Sequence, residues 1–459
     1  MNDSKSLEKI TIVTVMVTSF LNAFMGSSLN VALPSIGREF GSSALVLSWI
    51  VSSYILASAA FLLPMGRLAD LAGRRKIYLG GTILFTLLTG FCGFAWSGTS
   101  MIVFRLLQGI GASMIYATGI ALLTSVIPPH RRGYAMGLAV TAVYVGLSLG
   151  PVLGGALCQH VGWRSIFHLT GVGGICIVML TWFGLKGEWV GAPGERFDFS
   201  GSLFYVSGLV AVLYGISVIS KGSWAKYVLI AGCLFLTMFV RRQLSAAHPL
   251  MNMRLFSRNV AFAFSNLAAM INYSATFAIS FILSLHLQII LGYSPRVTGL
   301  ILLAQPVVMA LFSSFAGALS DRVEPRIVAS WGMGISAAGL FSFAFLNAAT
   351  SPWQIVGGLV LVGFGTALFA SPNTNAIMGS VRPSFYGVAS SAVSTMRMIG
   401  MALSMAVVTL LLSVFVGDAR LSHAPAEALL TTFRVAFVVS GVLCVLGVFA
   451  SLARGNVHS

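Results

Sequence analysis

Long apolar stretches recur along this chain from one end to the other, and that recurrence limits the fold more than any single residue does. A helix that crosses a bilayer needs about 20 largely apolar residues. Fourteen such stretches can be read, near 10–33, 44–65, 77–97, 102–127, 135–157, 165–187, 199–220, 225–240, 259–291, 297–319, 326–348, 353–380, 386–416 and 430–453. Only 8% of the 459 residues are charged and 57% are hydrophobic, too few polar groups to cover a water-facing surface. The expected class is an all-α membrane protein, because helices satisfy every backbone N–H and C=O internally where no water can. The stretch 10–33 is too long for the apolar core of a cleavable signal.

The cations test this count. A net charge of +16 would suggest a nucleic-acid partner in a soluble protein, but here the cations lie between apolar stretches and read as topology signals. With both termini placed in the cytoplasm, eighteen of the 27 Lys and Arg fall inside, six outside, and Arg105, Arg397 and Arg434 within helices. An odd number of spans would invert the second half and destroy that bias. The chain is therefore expected in the cell (inner) membrane, as a multi-pass monomer with lipid bilayer around it and no nucleic acid bound. Its five cysteines are isolated, with neither metal nor disulfide spacing. No nucleophile–base pair or nucleotide-binding loop is legible, so neither an enzyme nor a cofactor is expected.

Between the second and third stretches lies Gly66-Arg67-Leu68-Ala69-Asp70-Leu71-Ala72-Gly73-Arg74-Arg75-Lys76. Gly66 and Gly73 allow a close approach or a turn, and Asp70 can pair with a guanidinium or cap a helix N-terminus. The G-x-L-x-D pattern returns at Gly317-Ala318-Leu319-Ser320-Asp321-Arg322, again between two apolar stretches on the inside. A second copy in the second half is the mark of two six-helix repeats related by an axis along the membrane normal. The expected units are an N-terminal bundle, residues 1–190, a two-helix insertion, 191–258, and a C-terminal bundle, 259–459.

These two stretches resemble the loop between the second and third helices of the major facilitator superfamily (MFS), and its copy. The resemblance implies a gate made by Gly66, Asp70, Gly73, Arg74 and Arg75, with Asp321 and Arg322 in the second copy. Arg105-Leu106-Leu107-Gln108-Gly109-Ile110-Gly111-Ala112 is similar to the fourth-helix motif associated with coupling. A charge at bilayer depth is costly unless it faces a partner or a wet cavity. The run Gly146-Leu147-Ser148-Leu149-Gly150-Pro151-Val152-Leu153-Gly154-Gly155 resembles the family's antiporter motif; its glycines permit close helix contact and Pro151 frees a backbone carbonyl. Asn30-Val31-Ala32-Leu33-Pro34, Trp163 to Phe167 and Leu287 to Pro295 resemble the fourteen-helix drug:proton antiporter branch.

One departure bears on mechanism. The branch's first-helix motif places an aspartate five residues before its Asn, and Met25 stands there. All eleven acids fall in tails or loops by this topology, so no carboxylate is expected at mid-membrane. What remains in the bundles is polar, aromatic and positive. The expected cavity residues are Asn22, Met25, Tyr116, Tyr144, Asn272, His286, Gln288, Gln305, Asn373 and Arg397, with Arg105, Gln108 and His286 expected to carry coupling. His286 can be a core imidazole or a proton carrier. The resemblance implies export of hydrophobic or amphiphilic small molecules by alternating access against inward proton flow. A uniporter or symporter of an organic anion, or a lipid carrier, is the alternative.

Overall fold

A computed structural model describes residues 2–128, 131–382, 385–420 and 424–455. Helices α1 (Asn2–Phe40), α2 (Ala44–Ala72), α3 (Arg74–Gly93), α4 (Gly98–Val126), α5 (Arg132–His160) and α6 (Arg164–Met179) come first, and a π turn, Leu180–Gly184, prolongs α6. Then follow α7 (Phe199–Val218), α8 (Trp224–Ser245), the short α9 (Met253–Arg258), α10 (Val260–Thr276) and α11 (Ile279–Leu285), the last continued by a π turn, His286–Ile290. The remainder is α12 (Pro295–Leu302), α13 (Ala304–Ser320), α14 (Pro325–Phe343), α15 (Pro352–Gly379), α16 (Tyr386–Phe415) and α17 (Ala426–Ala453). No β-strand occurs among the described residues; one isolated bridge joins Ser43 and Arg420.

Local sequence explains where these helices begin. Ser43 caps α2 through the amide of Val46, and Ser97 with Ser100 forms a reciprocal capping box on α4. Ser351 and Gln354 repeat that box on α15, ahead of Pro352 in its first turn. The helices overrun the expected apolar stretches, because nothing in Ser35–Phe40 or Arg67–Ala72 breaks a helix.

Among the described residues, thirteen helical spans are long and apolar enough to cross a membrane. The fourteenth expected span, 326–348, forms α14, which falls outside that set and ends at Phe343. Small residues dilute its apolarity: Gly332, Ser336 and Gly339 are buried where α14 packs on α15 and α17. The expected span 259–291 is broken at Phe277–Ala278, whereas 386–416 runs as one helix. Outside, Trp96, Phe345 and Trp353 are 74%, 80% and 81% exposed. Aromatic residues that bare belong in a protein whose outer solvent is lipid.

Helices α1–α6 pack chiefly among themselves, as do α10 and α13–α17, while α7 and α8 form a pair laid against α2 and α16. The two groups also meet through α2–α16, α5–α12 and α1–α11. At α1–α11, Ser284 Oγ donates to Asn30 O at 2.6 Å and Gln288 Nε2 to Val31 O at 2.8 Å. At α5–α12, Gly155 and Gly299 bring backbones into contact. A Cβ at Gly155 would lie 2.5 Å from Pro295 O, and one at Gly299 only 1.9 Å from Pro151 O, so neither position admits a side chain. These seals, with the Ser43–Arg420 bridge, all lie at the end of the molecule remote from residues 66–76.

Candidate functional site

The stretch 66–76 is less of a loop than its glycines suggest. Helix α2 runs to Ala72 and α3 starts at Arg74, so Gly73 alone makes the turn, with φ 116°. Asp70 therefore sits on the last turn of α2 and takes the first of its two expected roles. Its Oδ1 accepts from Arg74 Nε at 3.0 Å and Nη2 at 2.8 Å, and Arg74 Nη1 reaches Ser125 Oγ on α4 at 2.7 Å. The N-terminus of α3 is capped from elsewhere: the Glu188 carboxylate accepts from the amides of Arg75 at 2.8 Å and Lys76 at 3.2 Å. The connection after α6 wraps the turn, since Gly191 and Ala192 donate to Asp70 O and Arg74 N donates to Trp189 O. Arg67 pairs with Glu195, which His248 also contacts at 2.8 Å. The hydrogen bond from Arg67 chiefly holds the Glu195 carboxyl below the usual carboxylate range, and His248 acts in the same direction. Gly66 faces Ala117 on α4 at ordinary contact distance.

In the second copy, Gly317 also faces a neighbouring helix, but more tightly: a Cβ there would lie 2.9 Å from Ser371 Oγ on α15. There the likeness ends. Asp321 follows the end of α13 and is exposed, as is Arg322, and neither joins an ion pair among the described residues.

Arg105 is 2% exposed and lies well inside the first group rather than reaching for a helix end. Its Nη1 donates to Gln108 Oε1 at 2.6 Å, one turn on, and its Nε to Ile50 O at 3.3 Å. Gln108 donates in turn to Thr89 Oγ1 at 2.6 Å. The guanidinium lies 4.1 Å from the ring centroid of Tyr54. The Tyr54 hydroxyl donates to Asn22 Oδ1 at 3.2 Å and lies 3.4 Å from the Tyr116 hydroxyl. Tyr116 lies within electrostatic reach of Arg397 on α16, in the second group. Arg397 lies 5.7 Å from the ring centroid of Tyr273 on α10 and also acts on Tyr144, which interacts with Ser313 on α13. Tyr54, Tyr116, Tyr144, Tyr273 and Arg397 are all half-buried. Two arginines, one on each group of helices, are thus joined by a row of tyrosines. Tyr54 carries no sequence signal of its own, and only its contact with Arg105 reveals it.

The antiporter-like run divides its residues between two surfaces. Gly146, Gly150 and Gly154 lie against α1, where Ser27 Oγ donates to Gly146 O and Ser28 Oγ to Gly150 O. Pro151 and Gly155 lie against α12 at the seal.

Several expected cavity residues sit elsewhere. Met25 is 1% exposed and packed in the main apolar core. Asn373 donates to Ser265 O and accepts from Arg454 Nη1 at 2.8 Å, within α10, α15 and the end of α17. Gln288 belongs to the seal. His286, two residues before it, points away from the seal toward Phe433 on α17, its ring 6.2 Å from that ring. Both its nitrogens, and both polar atoms of the Asn272 side-chain amide, are buried without a hydrogen-bond partner among the described residues. Gln305 is half-buried beside Gly363. The acids also differ from expectation in detail: Glu8, Glu39 and Asp70 are helical, at the ends of overrunning helices rather than in loops. A separate crevice of about 210 Å³ lies between α10, α16 and α17, lined by residues including Ser274, Ser404 and Ser440.

The sequence pattern of the Major Facilitator Superfamily matches residues 15–268 and 265–456. The chain belongs to this superfamily. Its riboflavin-transporter relative RibZ of Clostridioides difficile is 28% identical over 86% of both chains. The multidrug resistance protein Stp of Mycobacterium tuberculosis is 32% identical over 89% of this chain and 76% of its own. The methyl viologen resistance protein SmvA of Salmonella typhimurium is 30% identical over 88% and 82%. Among solved structures, a bacterial homologue of the human lysosomal transporter Spinster, inward-facing and unoccupied, superposes with a TM-score of 0.71 at 18% identity, covering 98% of this chain and 97% of that one. The MFS fold, with its multi-pass membrane architecture and transporter character, is the one expected from the repeated motifs.

Proposed function

We propose that this MFS transporter exports hydrophobic or amphiphilic small molecules across the cell membrane by alternating access, in exchange for protons. The observation that carries the reading is the placement of the seals. Residues 1–190 and 259–459 act as the two rocking bundles, 191–258 as an insertion between them, and their seals gather at the end remote from the Asp70–Arg74 pair. With both termini and the basic connections in the cytoplasm, this is the inward-open state of a monomer, with the Arg105–Arg397 row facing the cytoplasm. The resistance proteins Stp and SmvA support the efflux direction, and RibZ shows that a relative handles a vitamin.

Proton exchange is assigned to His286. Among the described acids each lies at a helix end or in a connection, whereas His286 is a buried imidazole with two free nitrogens, next to the sealed end. Opening that end would bring water to the ring. The test is accumulation of a fluorescent amphiphile in proteoliposomes with an acidic lumen. Wild-type protein should accumulate it until a protonophore is added. The His286→Asn variant should equilibrate the amphiphile without accumulating it. Gradient-driven accumulation by that variant would remove His286 from the coupling path, and wild-type accumulation unaffected by protonophore would remove protons altogether.

A further inference from the structure

The row of tyrosines between the two arginines carries a statement about substrate class, which rests on the transport reading above. Arg105 is fully committed: it is buried, hydrogen-bonded to Gln108 and Ile50, and stacked on Tyr54. Arg397 is the opposite case. It is half-buried, takes part in none of the ion pairs among the described residues, and lies 5.7 Å from the centroid of the Tyr273 ring. A guanidinium presents five donors in a planar fork that matches a carboxylate. Held away from bulk water without a counter-ion, it raises the cost of the empty site and of any cation brought to it.

The groups around Arg397 describe the rest of the ligand. Tyr273 belongs to the second bundle and lies beside the guanidinium, while Tyr116 and Tyr144 on the first lie within its electrostatic range. Three half-buried phenol rings offer flat apolar faces with hydroxyls at their edges. The charged groups acting on this row are Arg105 and Arg397, both positive. The row therefore has a fork for one negative charge and rings for a flat apolar body, and the ring faces that could attract a cation already have the two guanidinium groups beside them, with no acid among the residues of the row.

We infer that the central site takes a planar aromatic monoanion, with its carboxylate on Arg397 and its ring among Tyr116, Tyr144 and Tyr273. Such a ligand touches both bundles at once, so its binding favours the closed-over intermediate that neither bundle reaches alone. The row also separates this protein from relatives named for a dication: the two arginines stand where a dication would need an acid.

The experiment is a calorimetric titration of purified protein in nanodiscs with naphthoate, naphthamide and naphthylmethylammonium, which share a body and differ in charge. The acid should bind at least about tenfold more tightly than the amide, and the ammonium more weakly than either. Arg397→Gln should bring the acid to within about threefold of the amide and leave the amide unchanged. Arg397→Lys should restore part of the preference, since charge survives and the fork does not. Tyr273→Leu should weaken acid and amide by a similar factor, because it removes a stacking face rather than a charge. Arg434→Gln, at an exposed position on α17, should change nothing and so reports any unspecific charge effect. Equal affinity of acid and amide for the wild type overturns the inference, as does a preference that survives Arg397→Gln, tightest binding of the ammonium, or no binding by any of the three. The same compounds in proteoliposome flux separate the two levels: protein-dependent flux of the amide without anion preference leaves the transport reading standing and removes only the substrate class.

Discussion

The stretch at 66–76 and its copy at 317–326 share a pattern and differ in everything that surrounds it. In the first, Asp70 on the last turn of α2 has Arg74 four residues on, at the start of α3, and the single-residue turn at Gly73 brings the guanidinium back onto the carboxylate. Ser125, Glu188, Trp189, Gly191 and Ala192 then enclose the turn. In the second, the position four residues after Asp321 is Pro325, which opens α14 and offers no donor. Asp321 is left exposed. A duplicated motif thus carries a built clamp in one half and a bare acid in the other, and the cause is one residue of spacing plus a connection present only after α6.

The sharpest way to break the comparison is to neutralise each acid. On the proposed gating role of this turn, Asp70→Asn should lower the initial flux in proteoliposomes by about tenfold or more, because it frees Arg74 from α2 and loosens the turn. Asp321→Asn should lower it by less than about threefold. Both proteins should keep the wild-type helical circular-dichroism spectrum. Equal effects would mean that the clamp has no part in transport.

The next largest effect concerns the cap. Glu188→Ala removes the acceptor for the amides of Arg75 and Lys76 and should cost about 1 kcal/mol, read as a lowered midpoint in thermal unfolding in detergent. A variant as stable as wild type would show that water replaces Glu188 without cost.

A smaller effect appears on titration. Arg67 holds the Glu195 carboxyl below its usual value of 4.5. A depressed folded-state pKa stabilises above the unfolded value and is lost as pH falls through the folded one. The contact between α2 and the connection should therefore persist from neutral pH down past 4.5, and open only below it. Amide exchange across 190–198 reports the opening, and Arg67→Gln should move it to higher pH. An opening midpoint that Arg67→Gln leaves in place would contradict the assigned cause.

The smallest effect comes from trying to equalise the two copies. Pro325→Arg gives Asp321 a partner at the spacing Asp70 enjoys. An exposed pair contributes less than about 1 kcal/mol, so stability should hardly change. Flux above wild type would reveal that the bare acid matters.

What the sequence determined by itself was set by short range. Apolar run length required spanning helices, the placement of Lys and Arg gave them an expected orientation, and the repeated Gly-x-Leu-x-Asp pointed to the family. Arg105 and Gln108 were legible as a pair because three residues is one helical turn. The tertiary structure alone decided everything that depends on how a helix is rotated and which neighbour it meets. Tyr54 under Arg105, Thr89 under Gln108 and Glu188 on α3 come from 51, 19 and 113 residues away in the chain. Met25, Asn373 and His286 looked like cavity residues because polarity, or a motif position, gives no bearing around a helix axis. Their burial was settled by packing, which turns Met25 into the core, joins Asn373 to Arg454, and sets His286 behind the seal that Gln288 makes. Local spacing fixes a residue's face on its own helix; only the contact between helices fixes what that face sees.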